Sequence, residues 1–359
     1  MEKSFKNKSV MVTGACGTIG RELVRQLLEH YEIGEIVGID NNESELFFLE
    51  QRFSNYANAT FFLADIRDRD KLIRVSRNMD IIFHTAAFKH VIMCERSPFE
   101  AVQTNIIGIQ NIIAAAYQNG IGRVVFTSSD KAVNPTNVMG TSKLMGERLI
   151  TAANSNVRGK GPLFSSTRFG NVLGSRGSVI PIFREQIRRG GPVTLTDPEM
   201  TRFVMSVEEA VQLVIDSVFL MKGGEVFITK MPAIRIKDLA EIMIRELGKE
   251  FGLVPDQIPI TTIGTKPGEK MYEELMSMEE TRRSIELPQY FSVLPAFKGL
   301  YRNIKYDYPE IISGTVTKPY HSGDGEYLTV QALQEFLEKN GLLHEDFKQF
   351  ENPQERYWP

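Results

Sequence analysis

Short apolar runs alternate with amphipathic segments along the first 130 residues of the chain. The apolar runs lie at residues 9–13, 35–40, 60–63, 80–84 and 123–127. They are continuous in their apolarity rather than alternating, which is typical of strands buried on both faces of a parallel sheet. Helical spacing lies between them at residues 19–29 and 98–118, and a proline opens the second segment. The alternation predicts a doubly wound parallel α/β sheet.

Beyond about residue 170 the alternation loosens, and glycine and proline become frequent. Helical spacing returns at residues 207–221, 236–247 and 329–338. We find no internal repeat and no low-complexity tract. The pattern predicts a nucleotide-binding domain over residues 1–170. A smaller substrate-binding lobe with a C-terminal extension is predicted over residues 171–359, with some segments returning to the first domain.

The composition is that of an ordinary globular protein. Of 359 residues, 42% are hydrophobic and 24% are charged, and the net charge is −3. This balance argues against nucleic acid as the main partner. The two cysteines, Cys16 and Cys94, cannot form a disulfide framework and suit a reducing compartment. Because we find neither a signal peptide nor a run of about 18 apolar residues, we expect a cytoplasmic protein without a membrane span.

The histidines carry no sign of a metal site. Their spacing at His30, His84, His90, His321 and His344 lacks any metal-ligand pattern, so we expect no bound metal. His84 lies within an apolar run and is predicted to be a core residue with satisfied hydrogen bonds.

A glycine-rich loop follows the first apolar run and opens a helical segment. In Gly14-x-x-Gly17-x-x-Gly20, the first glycine permits a tight turn and the second lets the backbone approach a pyrophosphate. The third allows close helix–strand packing, and the helix N-terminus, at Thr18 and Ile19, offers N–H groups to phosphate. The context favours a Rossmann-like dinucleotide site over a plain loop.

Asp40 ends the second apolar run, where a carboxylate binds the adenine ribose diol of a dinucleotide. No arginine follows it, and a carboxylate repels a 2′-phosphate, so we favour NAD over NADP. Asp40 as a helix cap is the alternative.

Three further positions line the predicted cofactor site at strand ends. Asp65, followed by Ile66, ends the third run and is placed to reach the adenine amine, or else to cap a helix near Arg67. Ala86 and Ala87 follow the fourth run, and their small side chains let a cofactor pass close to the backbone.

Polar side chains that could act as acids, bases or hydrogen-bond donors cluster after the fifth apolar run. Ser129, Asp130 and Lys131 end that strand, at the edge where open α/β sheets bind ligands. Met139 and Lys143 are four residues apart on a predicted helix and share one face. Lys143 is placed to hydrogen-bond the nicotinamide ribose. The alternatives are a surface salt bridge for Lys143 and an ordinary exposed ion pair for Asp130 and Lys131.

These motifs together resemble the extended short-chain dehydrogenase/reductase superfamily and, more narrowly, the capsule-type UDP-N-acetylglucosamine 4,6-dehydratases. The resemblance covers about residues 8–280. Further matching stretches lie at residues 86–91, 134–140, 168–172, 174–181 and 196–203.

One departure concerns the catalytic tyrosine, which most of the superfamily has where Met139 stands. A thioether cannot act as a base. A subgroup of these dehydratases has methionine there, so Met139 is read as a packing residue within the site. The resemblance implies oxidation at sugar C4 by NAD, elimination of water across C5 and C6, and reduction at C6. It assigns the C5 base to Lys131, the C6 acid to Asp130 and a hydrogen bond to the C4 oxygen to Ser129.

The resemblance also implies contacts to a UDP-sugar. It carries Asn171 and Arg202 over to the phosphates or sugar, Glu269 of the segment Gly268-Glu269-Lys270 to the uridine ribose, and Lys89 to the substrate side. Structural polar roles are the alternative for all four residues.

The sequence therefore predicts a UDP-N-acetylglucosamine 4,6-dehydratase for surface-polysaccharide or rare-sugar synthesis. A UDP-sugar 4-epimerase and a non-catalytic NAD-binding scaffold are the alternatives. The resemblance implies a homo-oligomer, for which the helical segments at 98–118 and from residue 141 onward offer a contact. The motif at residues 134–140 favours retention at C5, although methionine also occurs in inverting members.

Overall fold

The structure, a computed structural model, describes residues 4–156, 161–175, 178–265, 268–297, 304–325 and 327–343. Three residues from the motifs and histidines above, Arg176, Gly177 and His344, lie outside these ranges. The described chain forms two compact units. The first is built from residues within 1–169, 208–230 and 274–320, and the second from residues within 170–207, 231–273 and 321–359.

The strands, in chain order, are β1 Ser9–Thr13, β2 Glu35–Asp40, β3 Ala59–Leu63, β4 Ile81–His84, β5 Arg123–Ser129, β6 Leu163–Phe169, β7 Asn171–Val172, β8 Val193–Leu195, β9 Thr201–Met205, β10 Val226–Thr229, β11 Ala233–Arg235, β12 Ile260–Thr262, β13 Glu274–Met276, β14 Ser284–Glu286, β15 Tyr290–Val293 and β16 Tyr320–His321.

The helices are α1 Thr18–His30, α2 Glu43–Arg52, α3 Arg69–Val75, α4 Val91–Arg96, α5 Pro98–Val102, α6 Gly108–Asn119, α7 Val138–Ala153, α8 Val179–Arg188, α9 Val207–Leu220, α10 Ile236–Glu250, α11 Met278–Thr281 and α12 Val330–Lys339.

A sheet of nine strands organises the first unit. Its order is β14-β15-β10-β6-β5-β4-β1-β2-β3, and β15 runs antiparallel to both of its neighbours. The pairs from β3 through β10 are parallel, so the carboxyl ends of β1, β2, β4 and β5 lie at the same edge. The predicted doubly wound α/β fold is confirmed.

The core of the first unit lies between this sheet and helices α6 and α7. Met11, Ile82, Val124, Ile112 and Phe164 are fully buried in it, which is why the strands have continuous apolar runs. Small residues permit the close packing. An added Cβ on Gly146 of α7 would lie 2.6 Å from Ile109 of α6.

The helix predicted over residues 98–118 is interrupted. Helix α5 ends at Val102, a wide π-turn covers Gln103–Ile107, and α6 then continues to Asn119. Gly120, in a left-handed conformation with φ of 66°, ends α6. Asn105 lies within this π-turn, and its side chain bonds outside the helix as described below.

The second unit has its own apolar core. Helices α8, α10 and α12 pack around Ile187, Leu239, Met243, Leu247 and Leu337, all of them fully buried. Strand β9 pairs with β7 and β11, and β8 pairs with β12. Thr329 caps α12 by accepting a hydrogen bond from the Ala332 amide.

Candidate active site

A cleft of about 170 Å³ opens at the carboxyl edge of β1, β2, β3 and β4. Most of the residues predicted for the cofactor line it, together with Thr85, Phe88 and Thr104: Gly14, Gly17, Asp40, Asp65, Ile66, Ala86 and Ala87. The three remaining glycine-loop positions, Thr18, Ile19 and Gly20, lie in the first turn of α1, and Gly17 is its N-cap. The structure therefore brings most of the predicted cofactor residues together at one edge of the sheet, whereas Lys143 is not among the residues that line the cleft.

The glycine loop has room for hydrogen atoms only. Gly14 has a φ of 69°, and a Cβ there would lie 2.8 Å from the backbone of Ala86. A Cβ on Gly20 would lie 2.1 Å from the Gly14 carbonyl oxygen. Any larger side chain at Gly14 or Gly20 must displace backbone. These two positions therefore have the close packing that the glycine spacing predicts for a phosphate-binding loop, called the glycine cradle below.

Asp40 is held at the end of β2 by backbone hydrogen bonds. Its carboxylate accepts from the Cys16 amide and the Asn42 amide, each at 3.0 Å. The cap of α2 is Asn42, whose side chain accepts from Glu45, so the capping role considered for Asp40 is filled by a neighbour. Burial and the nearby Asp40 charge raise the pKa of Cys16 to about 12, and this thiol stays neutral.

Asp65 is paired with Arg67 beside the cleft. The closest contact joins Arg67 Nη2 and Asp65 Oδ2 at 2.6 Å, and this bonding lowers the pKa of Asp65. Helix α3 is capped instead by Asp68, which accepts from the Lys71 amide. The proposed cap role of Asp65 is therefore wrong, while its proximity to Arg67 is as the sequence suggested.

The end of β5 carries a tight turn with an ion pair. Lys131 Nζ lies 3.2 and 3.1 Å from the two carboxylate oxygens of Asp130. Asp130 is 5% exposed and the Lys131 side chain is 34% exposed, so the pair joins a buried carboxylate to a partly exposed amine. Ser129 Oγ accepts from the Lys131 amide and fixes the turn. The alternative of an ordinary exposed pair fails for Asp130.

Lys143 is buried beneath this turn rather than on the surface. Its Nζ donates to the Thr127 carbonyl at 3.0 Å and lies 4.8 Å from the centre of the Phe126 ring. Burial lowers its pKa to about 8, against the opposing charge of Glu147. A surface salt bridge, the alternative role, is excluded by this position. The ammonium lies under the strand that carries Ser129 and Asp130.

Met139 lies in a small apolar cluster at the start of α7. It is buried with Cys94 and Ala101, and Val91 and Val138 pack against them. Asn137 caps the helix by accepting from Gly140. The thioether position is thus a packing position, in keeping with the sequence interpretation.

His84 is buried at the end of β4 but only half satisfied. Its Nδ1 lies 2.7 Å from Thr13 Oγ1, and that hydroxyl also accepts from the Ala86 amide. Its Nε2 has no hydrogen-bond partner among the described residues. Burial, with a smaller contribution from Lys143, lowers its pKa to about 3. The expectation of a fully satisfied core histidine is therefore wrong for one ring nitrogen.

Asn105, in the π-turn, joins two parts of the site. Its side chain accepts from the Phe88 amide and donates to the Phe88 carbonyl, at 2.8 and 3.0 Å. The same amide nitrogen donates to Ser142 Oγ in α7 at 2.9 Å. It therefore fixes the loop after β4, on which exposed Lys89 lies, against the helix that carries Met139 and Lys143. Sequence reasoning missed it, because a polar residue within a helical pattern carries no distinct signal.

A buried triad of charges joins three elements of the first unit. The Arg168 guanidinium contacts Glu147 of α7 at 2.6 and 3.0 Å and Glu280 at 3.1 Å. Burial alone opposes charging these groups, but Arg168 lowers the pKa of Glu280 to about 2, and the two carboxylates raise the pKa of Arg168. Arg168 Nη1 also donates to the Leu275 carbonyl. The triad joins α7 to β13 and α11.

The second unit brings together two of the predicted substrate residues. Arg202, 8% exposed in β9, lies 3.8 Å from Glu269, which also accepts from Thr196 Oγ1 at 3.3 Å. A second carboxylate, Glu273, lies 3.4 Å from Arg202 and was missed, although it closely follows the predicted uridine segment. Asn171 begins β7, which pairs with β9.

Neither a metal centre nor a membrane span is found in the described ranges. Among the described residues, no group of three or more His, Cys, Asp or Glu side chains is arranged to hold a metal. No helix in the described part of the chain is long and apolar enough to cross a membrane.

The parallel sheet, the glycine cradle and the Lys143 helix define an extended short-chain dehydrogenase/reductase. The chain belongs to the family described as polysaccharide biosynthesis protein, whose model matches residues 10–295. The resemblance found in the motifs is thereby confirmed. A dTDP-glucose 4,6-dehydratase from Streptomyces venezuelae, solved with NAD and TYD bound, shares the fold at 19% identity with a TM-score of 0.65, covering 94% of this chain and 99% of that one.

More similar proteins have varied names. The chain is 46% identical, over 94% of its length and 98% of the relative, to a protein of Methanocaldococcus jannaschii named as an uncharacterized membrane protein. It is 36% identical to an inverting UDP-N-acetylglucosamine 4,6-dehydratase of Campylobacter jejuni, covering 82% of this chain and 85% of the relative. A solved structure of the protein Pen from Bacillus thuringiensis is 40% identical with a TM-score of 0.87, covering 95% and 99% of the two chains.

Proposed function

We propose that this protein is a UDP-N-acetylglucosamine 4,6-dehydratase that yields a 4-keto-6-deoxy sugar for surface-polysaccharide or rare-sugar synthesis. The observation that carries the proposal is the Asp130–Lys131 pair, half buried at the sheet edge beside the cleft-forming strands. Elimination across C5 and C6 needs one acid and one base, whereas 4-epimerisation needs neither at those carbons. The Campylobacter relative named for this reaction supports the assignment.

The ion pair holds the number of protons that elimination needs. A base at C5 requires neutral Lys131, and an acid at C6 requires protonated Asp130. Transfer of one proton across the 3.1 Å contact meets both requirements together. Exclusion of water by a bound substrate favours this transfer, because desolvation disfavours both charged forms.

The protons then balance through the reaction. Lys131 takes the C5 proton while Asp130 gives its proton to the leaving C6 hydroxyl, which departs as water. The C5 proton returns from Lys131 when C6 is reduced. The proton released from the C4 hydroxyl passes through Ser129 to water, because Asp130 already holds the proton that it received from Lys131. Once Asp130 has protonated the C6 hydroxyl and Lys131 has returned its proton to C5, one proton from water restores the ion pair. Water at Ser129 therefore supplies the acceptor that the thioether of Met139 cannot.

The cofactor of this proposal is NAD, bound in the cleft of the first unit. The glycine cradle at Gly14 and Gly20 and the carboxylate of Asp40 fit its pyrophosphate and ribose diol. When bound there, NAD would supply the hydride acceptor for the oxidation at C4 and the hydride donor for the reduction at C6. Lys143 is assigned to a nicotinamide ribose hydroxyl, Asp65 to the adenine side, and Asp40 to the selection of NAD over NADP.

The substrate contacts are proposed residue by residue. Arg202 suits a diphosphate because its guanidinium forms bidentate hydrogen bonds, and Glu269 is assigned to the uridine ribose. Asn171 and Lys89 complete the proposed contacts to the UDP-sugar. The predicted cytoplasmic location stays a prediction.

A UDP-sugar 4-epimerase is the second candidate. A relative from Rickettsia bellii named UDP-glucose 4-epimerase is 34% identical, covering 96% of this chain and 99% of its own. Incubation with UDP-N-acetylglucosamine and mass spectrometry of the product separate the candidates. We expect a loss of one water, about 18 mass units. A product of unchanged mass with a different sugar indicates the epimerase, and no turnover leaves a non-catalytic scaffold.

Retention at C5 is part of the proposal, on the motif at residues 134–140. The Campylobacter relative is named as inverting, so the two sources of inference differ on this carbon. Proton NMR of the 4-keto product formed in deuterated water decides it. An L-arabino sugar overturns retention.

A homo-oligomer is also proposed, on apolar side chains exposed on α4, α5 and α7. Ile92, Met93, Phe99 and Met145 are 57%, 58%, 80% and 47% exposed, and the three helices pack together. Exposed apolar patches of this kind mark protein interfaces. Phe99→Glu with Met145→Glu is expected to shift the mass measured by light scattering toward the monomer. A wild-type protein that is monomeric at micromolar concentration contradicts the proposal.

A further inference from the structure

The turn that carries Lys131 is packed between two elements of the first unit. On one side is α7, where an added Cβ on Gly140 would lie 2.3 Å from the Lys131 carbonyl oxygen. On the other side is β13, which contacts residues 130–132. Residues 274–280, which comprise β13 and the start of α11, are called the anchor segment here. The position of the Lys131 backbone therefore depends on where the anchor segment lies.

The anchor segment is fastened at its buried end by Arg168. The guanidinium donates to the Leu275 carbonyl at 2.7 Å and contacts both carboxylate oxygens of Glu280 at 3.1 Å. Ser277 and Glu280 close a reciprocal capping box within the segment. The Arg168 contacts are buried and the capping box is partly buried, and the Arg168 contacts tie the segment to β6.

At its exposed end, the anchor segment is joined to the chain just after the Lys131 turn by a side-chain hydrogen bond. Asn134 Nδ2 donates to Glu274 Oε2 at 2.6 Å, a charge-assisted geometry. Asn134 has a φ of 42°, in the left-handed region, and follows Lys131 by three residues. Because a non-glycine residue in this conformation needs local support, the bond stabilises the bend between Lys131 and α7.

We propose that Glu274 and Asn134 are positioning residues that hold the Lys131 turn in its reactive place. The inference rests on the proposed role of Lys131 as the C5 base. Neither residue is assigned to substrate or cofactor. Proton transfer from carbon depends steeply on geometry, and a displacement of about 1 Å can cost about 10²-fold in rate. Loss of an exposed contact that restrains the turn is therefore expected to lower turnover more than substrate affinity.

The test compares Glu274→Ala with two matched variants. Glu274→Gln keeps an oxygen that accepts from Asn134. Glu279→Ala removes a carboxylate of the same segment that pairs with Arg283 and is 62% exposed. For Glu274→Ala we expect kcat to fall about tenfold with KM within twofold, a fraction of the 1 Å effect. Glu274→Gln should stay within about threefold of the wild type, and Glu279→Ala should match it.

Asn134→Gly is an independent test, because glycine adopts the left-handed backbone conformation while the side-chain amide is lost. It should lower kcat as Glu274→Ala does, and the double variant should be no worse than either single one. Equal losses in Glu274→Ala and Glu274→Gln, or additive losses in the double variant, overturn the proposal.

Hydrogen–deuterium exchange tests the same inference without activity. Peptides covering residues 130–137 should exchange faster in Glu274→Ala than in the wild type, with the rest of the first unit unchanged. Unchanged exchange in these peptides overturns the positioning role. If the wild type removes no water from UDP-N-acetylglucosamine, the proposed function fails while the exchange measurement still decides whether Glu274 holds the turn.

Discussion

The proposed cofactor cleft and the proposed reactive centre lie at the same edge of one sheet, but they are built differently. The cleft depends on small residues and backbone groups, and its ion pair, Asp65 with Arg67, is partly exposed. The reactive centre depends on charges that are wholly or partly buried. Asp130 pairs with its neighbour Lys131, and in the adjoining triad Arg168 pairs with Glu280 far along the chain. One region is specified by the space that must stay open. The other is specified by charges that must be neutralised.

Because of this difference, we expect the two regions to tolerate different substitutions. Substitution of an exposed charge at the cleft removes a weak interaction, because water screens it. Removal of a buried charge at the centre leaves its partner uncompensated, because no water replaces it. We therefore expect damage at the cleft to appear in cofactor affinity and damage at the centre to appear in stability and turnover.

The largest expected effect is on turnover at the reactive centre. Lys131→Ala and Asp130→Asn should each lower kcat by about 10² to 10⁴-fold, the range for loss of general acid–base catalysis. NAD affinity should be unchanged, because neither side chain lines the cleft. Steady-state kinetics and NAD titration by calorimetry check both parts. A parallel loss of NAD binding would break the proposed independence of the two regions.

The second largest effect is on the free energy of unfolding, and it differs between the ion pairs of the two regions. Arg168→Met should lower the free energy of unfolding by about 3–5 kcal/mol, because Glu147 and Glu280 lose their buried partner. Arg67→Met, at the exposed pair beside the cleft, should cost about 1 kcal/mol or less. Urea unfolding followed by circular dichroism measures both. Similar costs for the two variants would show that burial does not separate the regions.

The third effect is a pH dependence that arises from Lys143. Its pKa is lowered from 10.5 to about 8 by burial, so the unfolded chain binds more protons than the folded chain between these values. Stability from this group therefore rises with pH across that window, by about 3 kcal/mol at most. The difference in unfolding free energy between the wild type and Lys143→Met, measured from pH 7 to 10.5, should increase accordingly. A flat difference would contradict the burial of the ammonium.

A smaller effect is expected at the cleft. Asp40→Ala removes the acceptor of the Cys16 amide and the proposed ribose contact, and should weaken NAD binding about tenfold, or about 1.4 kcal/mol. Asn42→Ala, which removes the α2 cap next to it, serves as the control for local destabilisation and should leave the Kd within threefold. Calorimetric titration with NAD and NADP measures both variants. A gain in NADP affinity in Asp40→Ala would further support the selection role.

The smallest effect is expected at Met139. Met139→Leu conserves volume in the cluster with Cys94 and Ala101, and such exchanges usually cost less than about 1.5 kcal/mol. Most turnover should remain. A variant as inactive as Lys131→Ala would show a chemical role for the thioether that its packing does not explain.

The sequence predicted the sheet well, and seven of the residues that it proposed for the cofactor line one cleft at the sheet edge, because both patterns follow from local rules. Continuous apolar runs fix buried strands, and glycine spacing fixes a cradle. The sequence also predicted which polar residues end β5. The capping roles considered as alternatives for Asp40 and Asp65 belong to Asn42 and Asp68, since neighbouring Asx residues compete for the same amides within two or three positions.

What could not be predicted depends on contacts across long stretches of chain. Arg168 meets Glu280 across 112 residues, and Asn134 meets Glu274 across 140. Neither pairing has a periodic signature, because tertiary packing alone brings the partners together. The same holds for the bonds of His84 Nδ1 with Thr13 and of Asn105 with Phe88.

Because of the π-turn at Gln103–Ile107, the number of residues between Pro98 and Asn119 determines in which direction the α5 side chains point relative to those of α6. A π-turn inserts one residue into a helix, and each helical residue advances the side-chain direction by about 100°. Excision of one residue from the turn would straighten the helix and rotate its first part, including Phe99, by about that angle relative to α6. A single-codon deletion here would thus redirect an exposed aromatic surface and detach Asn105 from Phe88, while the amino-acid composition of the segment stayed nearly the same.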